Sequence, residues 1–179
     1  MRLSVAARGI AGSTFDYVAR EAGVSRGLLH YYFGSKERLL AEAVRRECDI
    51  RIDQLEHEIG DAASAEDVLA ALVHILEELL GEGPATAVMF YEMLTLAQRN
   101  DEIAAELSEM GRRIRSHIAA ALRAKARAGV VELRAEPDAI STFLFALADG
   151  IMIRRLSEPD LDVAPTMELA VRSARALLS

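Results

Sequence analysis

The chain has 179 residues, of which 51% are hydrophobic and 5% aromatic, and its formal net charge is −7. The length and apolar content exclude a largely disordered chain, and the scarcity of aromatic residues favours packed helices over a β-sandwich. The single cysteine, Cys48, excludes an intrachain disulfide. Because the sequence has neither a signal-peptide core nor an apolar run of the ~18 residues that span a membrane, a cytoplasmic location is expected.

The charge is divided unevenly along the chain. Residues 1–46 hold eight basic and four acidic side chains, a net charge of +4, whereas residues 47–179 carry −11. A basic head on an acidic body predicts that one end of the chain meets a polyanion. We therefore expect a DNA-binding domain over 1–46 and a ligand-binding and dimerisation domain over 47–179.

Two short helices joined by a glycine turn are predicted near the start of the chain. Ser13 or Thr14 can cap the first helix, Gly23 can end it with a positive φ, and Ser25 can cap the second. This arrangement is typical of the helix-turn-helix, whose second helix lies in the major groove of DNA. An ordinary helical hairpin with surface charges is the alternative, and the combined spacing disfavours it.

The outward face of the second helix carries side chains that suit the reading of DNA. Arg26 can direct its guanidinium fork at O6 and N7 of guanine, and Gly27 lets the backbone come close to the bases. His30 and Tyr31 can hydrogen-bond to base edges or phosphates. Lys36, in the first turn of the next helix, adds its charge to a helix N-terminus and predicts a phosphate contact.

This segment resembles the DNA-binding domain of the tetracycline-repressor (TetR) family of bacterial transcriptional regulators. The residues that carry the resemblance are Gly9, Thr14, Val18 to Ser25, Gly27, Leu29, Tyr31 to Phe33 and Ser35 to Leu40. It implies base contacts by Arg26, Gly27 and His30 and a helical ligand-binding body that dimerises. It also implies phosphate contacts by Thr14, Leu28, Tyr32 and Lys36. The full set expected at DNA is Thr14, Ser25, Arg26, Gly27, Leu28, His30, Tyr31, Tyr32 and Lys36.

Three departures from the family pattern bear on function. Only eight residues precede Gly9, where family members carry a longer first helix, so either the true start lies upstream of Met1 or the first helix is truncated. Leu28 stands where a small or hydroxyl-bearing residue is common, and His30 stands where tyrosine is common. The truncation leaves open an alternative function, a small-molecule-binding helical protein with impaired DNA binding.

Beyond residue 46 the apolar residues recur at spacings of three and four, which predicts helices only. With the three helices of the head, the chain is expected to form about nine helices in an all-α fold. The expected boundaries are Ser35, Gly60, Ser64, Gly81, Pro84, Asn100, Gly129, Pro137 and Pro165. The stretch from Phe143 to Arg154 resembles the penultimate helix of many family members.

A ligand pocket is plausible among the helices of the body. Flexible methionines adapt to varied ligands and adjacent polar residues can orient them, although the same residues could equally form ordinary core. The candidate pocket residues are His74, Met89, Phe90, Met93, Gln98, Met110, Ile114, His117, Phe143 and Leu147. No catalytic or metal-ligand spacing stands out, so neither an enzyme nor a metal or other cofactor is expected.

The helix after Pro137 is apolar nearly all round and must be covered on two sides. Small residues of the last helix permit close packing, which predicts a two-fold homodimer with a four-helix interface. The expected interface residues are Phe145, Asp149, Gly150, Ile153, Ala170 and Ala174. The leading function is a ligand-responsive transcriptional regulator, a repressor that a small-molecule inducer releases from palindromic operator DNA.

Overall fold

The computed structural model describes residues 1–81 and 84–178, and every regular element in that part of the chain is an α-helix. The predicted all-α fold is therefore confirmed. Pro84 and Pro137 begin helices, where the missing N–H costs no hydrogen bond. The helices are α1 (Arg2–Gly12), α2 (Phe15–Ala22), α3 (Arg26–Phe33), α4 (Lys36–Asp61), α5 (Ala65–Gly81), α6 (Pro84–Ala97), α7 (Asp101–Arg127), α8 (Pro137–Ser157) and α9 (Ala164–Leu178).

Side-chain caps begin four helices at the predicted positions. The hydroxyl oxygens of Thr14, Ser25, Ser35 and Ser64 each accept a hydrogen bond from the backbone N–H three residues later, at 3.1–3.3 Å. Each bond satisfies an N–H that has no partner within its own helix. Asn100 caps α7 through its side-chain oxygen. The start of each of these helices is thus determined locally.

The helices form two compact units. Unit 1 comprises Met1–Cys48 and Glu82–Met110, and unit 2 comprises Asp49–Gly81 and Gly111–Ser179. Both α4 and α7 contribute residues to each unit. Unit 1 contains the predicted DNA-binding head together with α6 and the first part of α7, so a functional boundary between residues 46 and 47 stays a prediction.

Unit 1 contains two apolar clusters. The head cluster joins Phe15, Val18 and Ala19 of α2 to Leu29 of α3 and Leu39 of α4, each at most 8% exposed. It fixes α3 against α2 and the start of α4. The second cluster gathers α1, α4, α6 and α7 through Val5, Leu40, Ala41, Val44, Met89, Met93, Ile103 and Met110.

The first helix is short but packed. It is broken at Gly9, whose φ of 67° lies in the left-handed region that favours glycine. The Ser13 hydroxyl donates to the Gly9 carbonyl at 2.7 Å and accepts from the Ser4 hydroxyl at 2.9 Å, which ties down the turn that follows. Val5 is 4% exposed in the second cluster, and α1 packs on α6 and α2. The residues before Gly9 thus contribute to the fold of unit 1.

Unit 2 has a core of its own. Lys125 donates hydrogen bonds to the carbonyl oxygens of Gly60 and Ala62, both at 2.7 Å, and so closes the C-terminal end of α4. The buried residues of the core are Leu55, Ile59, Ala62, Val68, Leu69, Ala71, Ile118, Leu122, Val131, Ile140, Ala174 and Leu178.

Among the described helices, none is long and apolar enough to cross a membrane.

Candidate DNA-binding site

The turn between α2 and α3 is closed by backbone hydrogen bonds. Gly23 has φ 67° and ψ 26°, a conformation that glycine adopts without strain. The N–H of Gly23 donates to the carbonyl of Arg20 at 3.2 Å, and that of Val24 donates to the carbonyl of Ala19 at 2.9 Å. These bonds end α2 and reverse the chain, so that α3 begins at Arg26. The predicted pair of short helices with a glycine turn is therefore present.

One side of α3 is buried and the rest is open to solvent. In this helix Leu29 is buried and Phe33 is half-buried, whereas Tyr31 and Tyr32 are 82% and 70% exposed. Large side chains left on the outside of a short helix indicate a contact surface. The exposed residues of α3 are Arg26, Gly27, Leu28, His30, Tyr31 and Tyr32, which include all of the predicted base-contact residues.

The guanidinium of Arg26 is held by a carboxylate that sequence reasoning did not identify. Its Nη1 donates to Oδ1 and Oδ2 of Asp16 at 3.3 and 3.2 Å. Both side chains are well exposed, so this ion pair is worth at most about 1 kcal/mol. Asp16 therefore orients Arg26 while allowing it to take another acceptor at small cost. The sequence shows an acidic residue in the first turn of α2. It does not show the pairing, because Asp16 and Arg26 are ten positions apart and lie in different helices.

His30 extends this chain of hydrogen bonds. Its Nδ1 lies 3.3 Å from the carbonyl oxygen of Gly34, which can only accept, so Nδ1 carries the proton of that bond. The Nε2 atom is then the acceptor for the Nε–H of Arg26, at 3.4 Å. The ring of Phe15 meets the imidazole edge to face, with 4.5 Å between centroids. Base contact by His30 thus requires the exchange of one of these bonds.

The backbone of α3 is most open at Gly27. A Cβ added there would meet no atom nearer than Ser25 Oγ, at 3.9 Å. Packing within the fold therefore does not require glycine at position 27. Glycine inside a helix nevertheless lowers its stability by about 1 kcal/mol relative to alanine. This favours the predicted close approach of a ligand to the backbone at Gly27.

The predicted phosphate contact by Leu28 has no side-chain donor, and it stays a prediction. Its hydrocarbon side chain cannot donate a hydrogen bond, and its N–H already donates to Ser25 Oγ at 3.1 Å. Because the side chain is 43% exposed, it offers an apolar surface of the kind that contacts thymine methyl groups.

The other predicted phosphate contacts lie around α3. Thr14 is the exposed cap of α2, and Lys36 is the first residue of α4. Helix N-termini favour anions because their N–H groups and dipoles point outward. Tyr32, with its ring 5.2 Å from that of Tyr31, lies at the end of α3. These roles remain predictions.

The ten predicted pocket residues divide equally between the units. Unit 1 holds Met89, Phe90, Met93, Gln98 and Met110, and unit 2 holds His74, Ile114, His117, Phe143 and Leu147. The three methionines are at most 3% exposed and form core. His74 instead forms a hydrogen bond with Glu58 at the surface, at 3.0 Å, and His117 forms one with Glu56. Gln98 and Phe143 are exposed. Membership of a pocket stays a prediction for the set.

The predicted dimer contacts differ in burial. Ala170 and Ala174 are 7% and 5% exposed within the single chain, and Ala174 belongs to the core of unit 2. These two alanines are core residues of the single chain, and their place in a dimer interface stays a prediction. Gly150 and Ile153, by contrast, are exposed on α8. Together with two more residues they form what we call the α8 stripe: Phe143, Ala146, Gly150 and Ile153.

Asp149 and Phe145, also predicted at the interface, share a neighbour on α7. The guanidinium of Arg115 lies over the Phe145 ring, 5.6 Å from its centroid. Burial raises the pKa of the Asp149 carboxyl from 3.8 to about 6, and the charge of Arg115 opposes that rise. Asp149 is thus a half-buried carboxyl that takes up a proton in mildly acidic solution.

Comparison with known families covers both ends of the chain. Residues 4–43 match the model of bacterial regulatory proteins of the tetR family, and residues 65–179 match that of the C-terminal part of BetI-type transcriptional repressors. The HTH-type transcriptional regulator BetI of Agrobacterium fabrum is 35% identical over 168 residues, which cover 92% of this chain and 74% of that protein.

Solved structures share the fold. The transcriptional regulator FadR from Bacillus subtilis, in complex with stearoyl-CoA, has a TM-score of 0.76 and 19% identity, and the match covers 99% of this chain and 95% of that one. A protein from Saccharomonospora viridis, described as a transcriptional regulator in complex with choline, has a TM-score of 0.69 and 24% identity, with 96% and 88% covered. At these identities the likeness is one of fold.

The matched relatives are transcriptional regulators rather than enzymes. Regulators of their family bind operator DNA and small-molecule effectors. The helix-turn-helix, the exposed face of α3 and both family matches agree with the resemblance found in the sequence. The chain belongs to the tetR family of bacterial regulatory proteins, with a BetI-type C-terminal part, and is a DNA-binding transcriptional repressor.

Proposed function

We propose that the protein binds a palindromic operator as a homodimer in the cytoplasm and leaves it when a small-molecule inducer binds. The observation that carries the DNA contact is the exposed face of α3, which presents Arg26 and, next to it in the helix, the open backbone of Gly27. Two such helices in a dimer reach successive major grooves when they lie about 34–36 Å apart. A palindromic site then presents the same bases to each subunit.

Direct binding tests this assignment. The full-length protein is titrated into a fluorescent duplex from the region upstream of its own gene, at about 50 and 200 mM salt. A scrambled duplex of equal length is the control. We expect operator binding to be at least ~1,000-fold tighter than binding to the scrambled duplex at the higher salt. Equal affinities for the two duplexes would contradict the proposal.

For the effector we propose a small cation of the choline type. The charge of −11 on residues 47–179 favours the approach of cations over that of anionic acyl-CoA. The choline complex of the Saccharomonospora viridis protein supports the same class. The stearoyl-CoA complex of the Bacillus subtilis regulator makes acyl-CoA the competing class.

Calorimetry with and without operator DNA tests both the ligand class and its direction of action. Choline is titrated into free protein and into the operator complex, with stearoyl-CoA as the comparison ligand. An inducer binds the complex more weakly, and a hundredfold difference corresponds to about 2.7 kcal/mol of coupling. Equal affinities would rule out coupling, and tighter binding to the complex would make the ligand a co-repressor.

We propose that α4 transmits the effect, because it begins at the head and contributes residues to both units. Within unit 1, Arg45 pairs with Glu106 at 2.6 Å and Arg38 pairs with Glu102, so α4 is linked to the start of α7. These pairs line a groove of about 240 Å³ that Tyr32 also borders. A tilt of α4 would move its first residues and α3 together, because Leu39 packs in the head cluster.

A further inference from the structure

Two arginine side chains, neither of them in α3, lie over the ring of one tyrosine. The guanidinium carbon of Arg8, from α1, is 4.2 Å from the centroid of the Tyr17 ring, and that of Arg20 is 5.2 Å from it. Both distances are within the range of cation–π attraction. A Cβ at Gly12 would lie 2.8 Å from the Cβ of Arg8, so the glycine leaves room for that side chain. The fold thus holds two positive charges at one ring.

Neither guanidinium has a carboxylate partner among the residues that the structure describes. Arg26, Arg38 and Arg45 in the same unit all have one. Asp16, next to Tyr17 in the chain, is taken by Arg26. Two like charges at one half-buried ring repel each other unless an anion lies between or beside them. The arrangement therefore suits an anionic ligand from outside the chain.

The pair lies on a side of α2 that borders the start of α3. Asp16 and Arg20 are four residues apart and so share one face of α2. Asp16 contacts Arg26, the first residue of α3. Arg20 is thereby placed one helical turn along the same face, within reach of a backbone that passes the recognition helix.

We propose that Arg8 and Arg20 form a binding site for a phosphate of the DNA backbone, outside the recognition helix, and that Tyr17 positions both guanidinium groups. This inference rests on the proposed DNA-binding function. A guanidinium fork binds phosphate oxygens through paired charge-assisted hydrogen bonds. A phosphate contact does not distinguish one base from another. It therefore raises the affinity for every DNA sequence, the operator included, by about the same factor.

The test is the salt dependence of operator binding by full-length Arg8→Gln and Arg20→Gln variants. Each phosphate contact contributes about 0.9 to the slope of log K against log salt. A variant that loses one contact in each of two subunits should lose about 1.8 from the slope, which is about 60-fold in affinity at ~0.1 M salt and little at ~1 M. Arg127→Gln, an exposed arginine at the end of α7 with the same change in charge, should leave the slope unchanged.

Further variants separate positioning and folding from direct contact. Arg20→Lys keeps the charge and should keep the slope. Tyr17→Leu changes no charge, yet it should lower the slope, whereas Tyr17→Phe keeps the ring and should not. Thermal unfolding by circular dichroism identifies any variant that does not fold. The ratio of operator to scrambled-duplex affinity should stay constant throughout.

Different results would overturn the proposed DNA-binding function and the proposed phosphate site. Wild-type protein that does not prefer operator DNA would overturn the proposed function. Wild-type binding with normal preference, together with unchanged slopes for both folded arginine variants, would overturn the phosphate site alone. A loss of base preference in Arg20→Gln would also overturn it, since it would make Arg20 a base-contact residue.

Discussion

Arg26 has two possible partners, and their energies differ enough to make it a selective contact. In the free protein its guanidinium is held by the exposed carboxylate of Asp16, a pair worth at most about 1 kcal/mol. A guanidinium bidentate to O6 and N7 of guanine is worth about 1–3 kcal/mol of discrimination. We therefore expect guanine to displace Asp16, and a base without that pair of acceptors to leave Arg26 on the carboxylate.

We predict that Arg26→Ala lowers operator affinity by about 1–3 kcal/mol and relaxes base preference at one position of each half-site. Competition between duplexes that differ at single base pairs measures the preference. Lys36→Ala is the matched control, because loss of a phosphate contact should weaken all sequences about equally. Unchanged discrimination in Arg26→Ala would show that another residue reads the base.

We predict that Asp16→Asn lowers discrimination while raising affinity for non-specific DNA. The amide no longer fixes the guanidinium through two carboxylate hydrogen bonds, and one negative charge per subunit is removed from the DNA-facing side. The affinities for operator and scrambled duplex measure both effects. A variant with higher operator affinity and undiminished preference would indicate that Asp16 only competes with DNA.

The half-buried carboxyl of Asp149 predicts a dependence of stability on pH. Its pKa is raised to about 6 in the folded chain, so the folded state binds this proton more tightly than the unfolded state does. Ionisation of Asp149 at neutral pH therefore lowers the free energy of unfolding. This loss of stability shrinks as the pH falls below the pKa of the folded state and approaches the pKa of the unfolded state.

Asp149→Asn should accordingly be more stable than the wild type at about pH 7.5, with a difference that shrinks toward about pH 5. Urea unfolding at both pH values measures it. Asp160→Asn, in the exposed turn between α8 and α9, is the control and should unfold like the wild type. A wild type at least as stable as Asp149→Asn at the higher pH would mean that ionisation of this carboxyl does not destabilise the fold.

The start of α4 combines a structural task with a binding task. Ser35 Oγ accepts the N–H of Arg38 at 3.2 Å, and the next residue, Lys36, is predicted to contact a phosphate. Because the cap and the phosphate would use different N-terminal groups of the same helix, the two tasks can be separated by substitution.

Ser35→Ala should lower the free energy of unfolding by about 1 kcal/mol, since the capping oxygen is lost. Ser35→Asp keeps a capping oxygen and should keep most of the stability, but its negative charge beside Lys36 should weaken DNA binding. Urea titration and fluorescence anisotropy measure the two effects. Equal stability of wild type and Ser35→Ala would mean that water replaces the cap at no cost.

At the scale of the whole molecule, the assembly state is expected to depend on what covers the α8 stripe. Phe143 and Ile153 are 44% and 41% exposed in the single chain, and a Cβ at Gly150 would meet nothing within 4 Å. An apolar stripe with a glycine at its middle suits close packing against the same helix of a second copy. The alanines of α9 are already buried inside unit 2, so we expect the α8 stripe to supply most of the contact.

We predict that Ile153→Glu yields monomers, because the charge would be desolvated in the interface. Light scattering at micromolar concentration measures the mass. Leu3→Glu, at a residue 78% exposed in unit 1, is the control and should leave the dimer intact. A monomeric wild type would contradict the dimer model, and a dimeric Ile153→Glu would move the interface off this stripe.

Much of this architecture follows from short-range rules that a sequence displays directly. Thr14, Ser25 and Ser35 begin their helices because each hydroxyl meets an N–H only three residues away, and Gly23 ends α2 because it can adopt a positive φ. Because these interactions are local, the helix-turn-helix and its family resemblance can be recognised in the order of the amino acids alone.

Long-range contacts required the folded chain. Small apolar residues look alike whether they face a second copy or the same chain, so the burial of Ala174 in its own core was not predictable from its type. The bonds between Asp16 and Arg26 and the burial that shifts the pKa of Asp149 also depend on how neighbouring helices pack. A helix start is set by groups already adjacent along the chain, whereas a side chain's partner is set by the packing of helices that the sequence order leaves open.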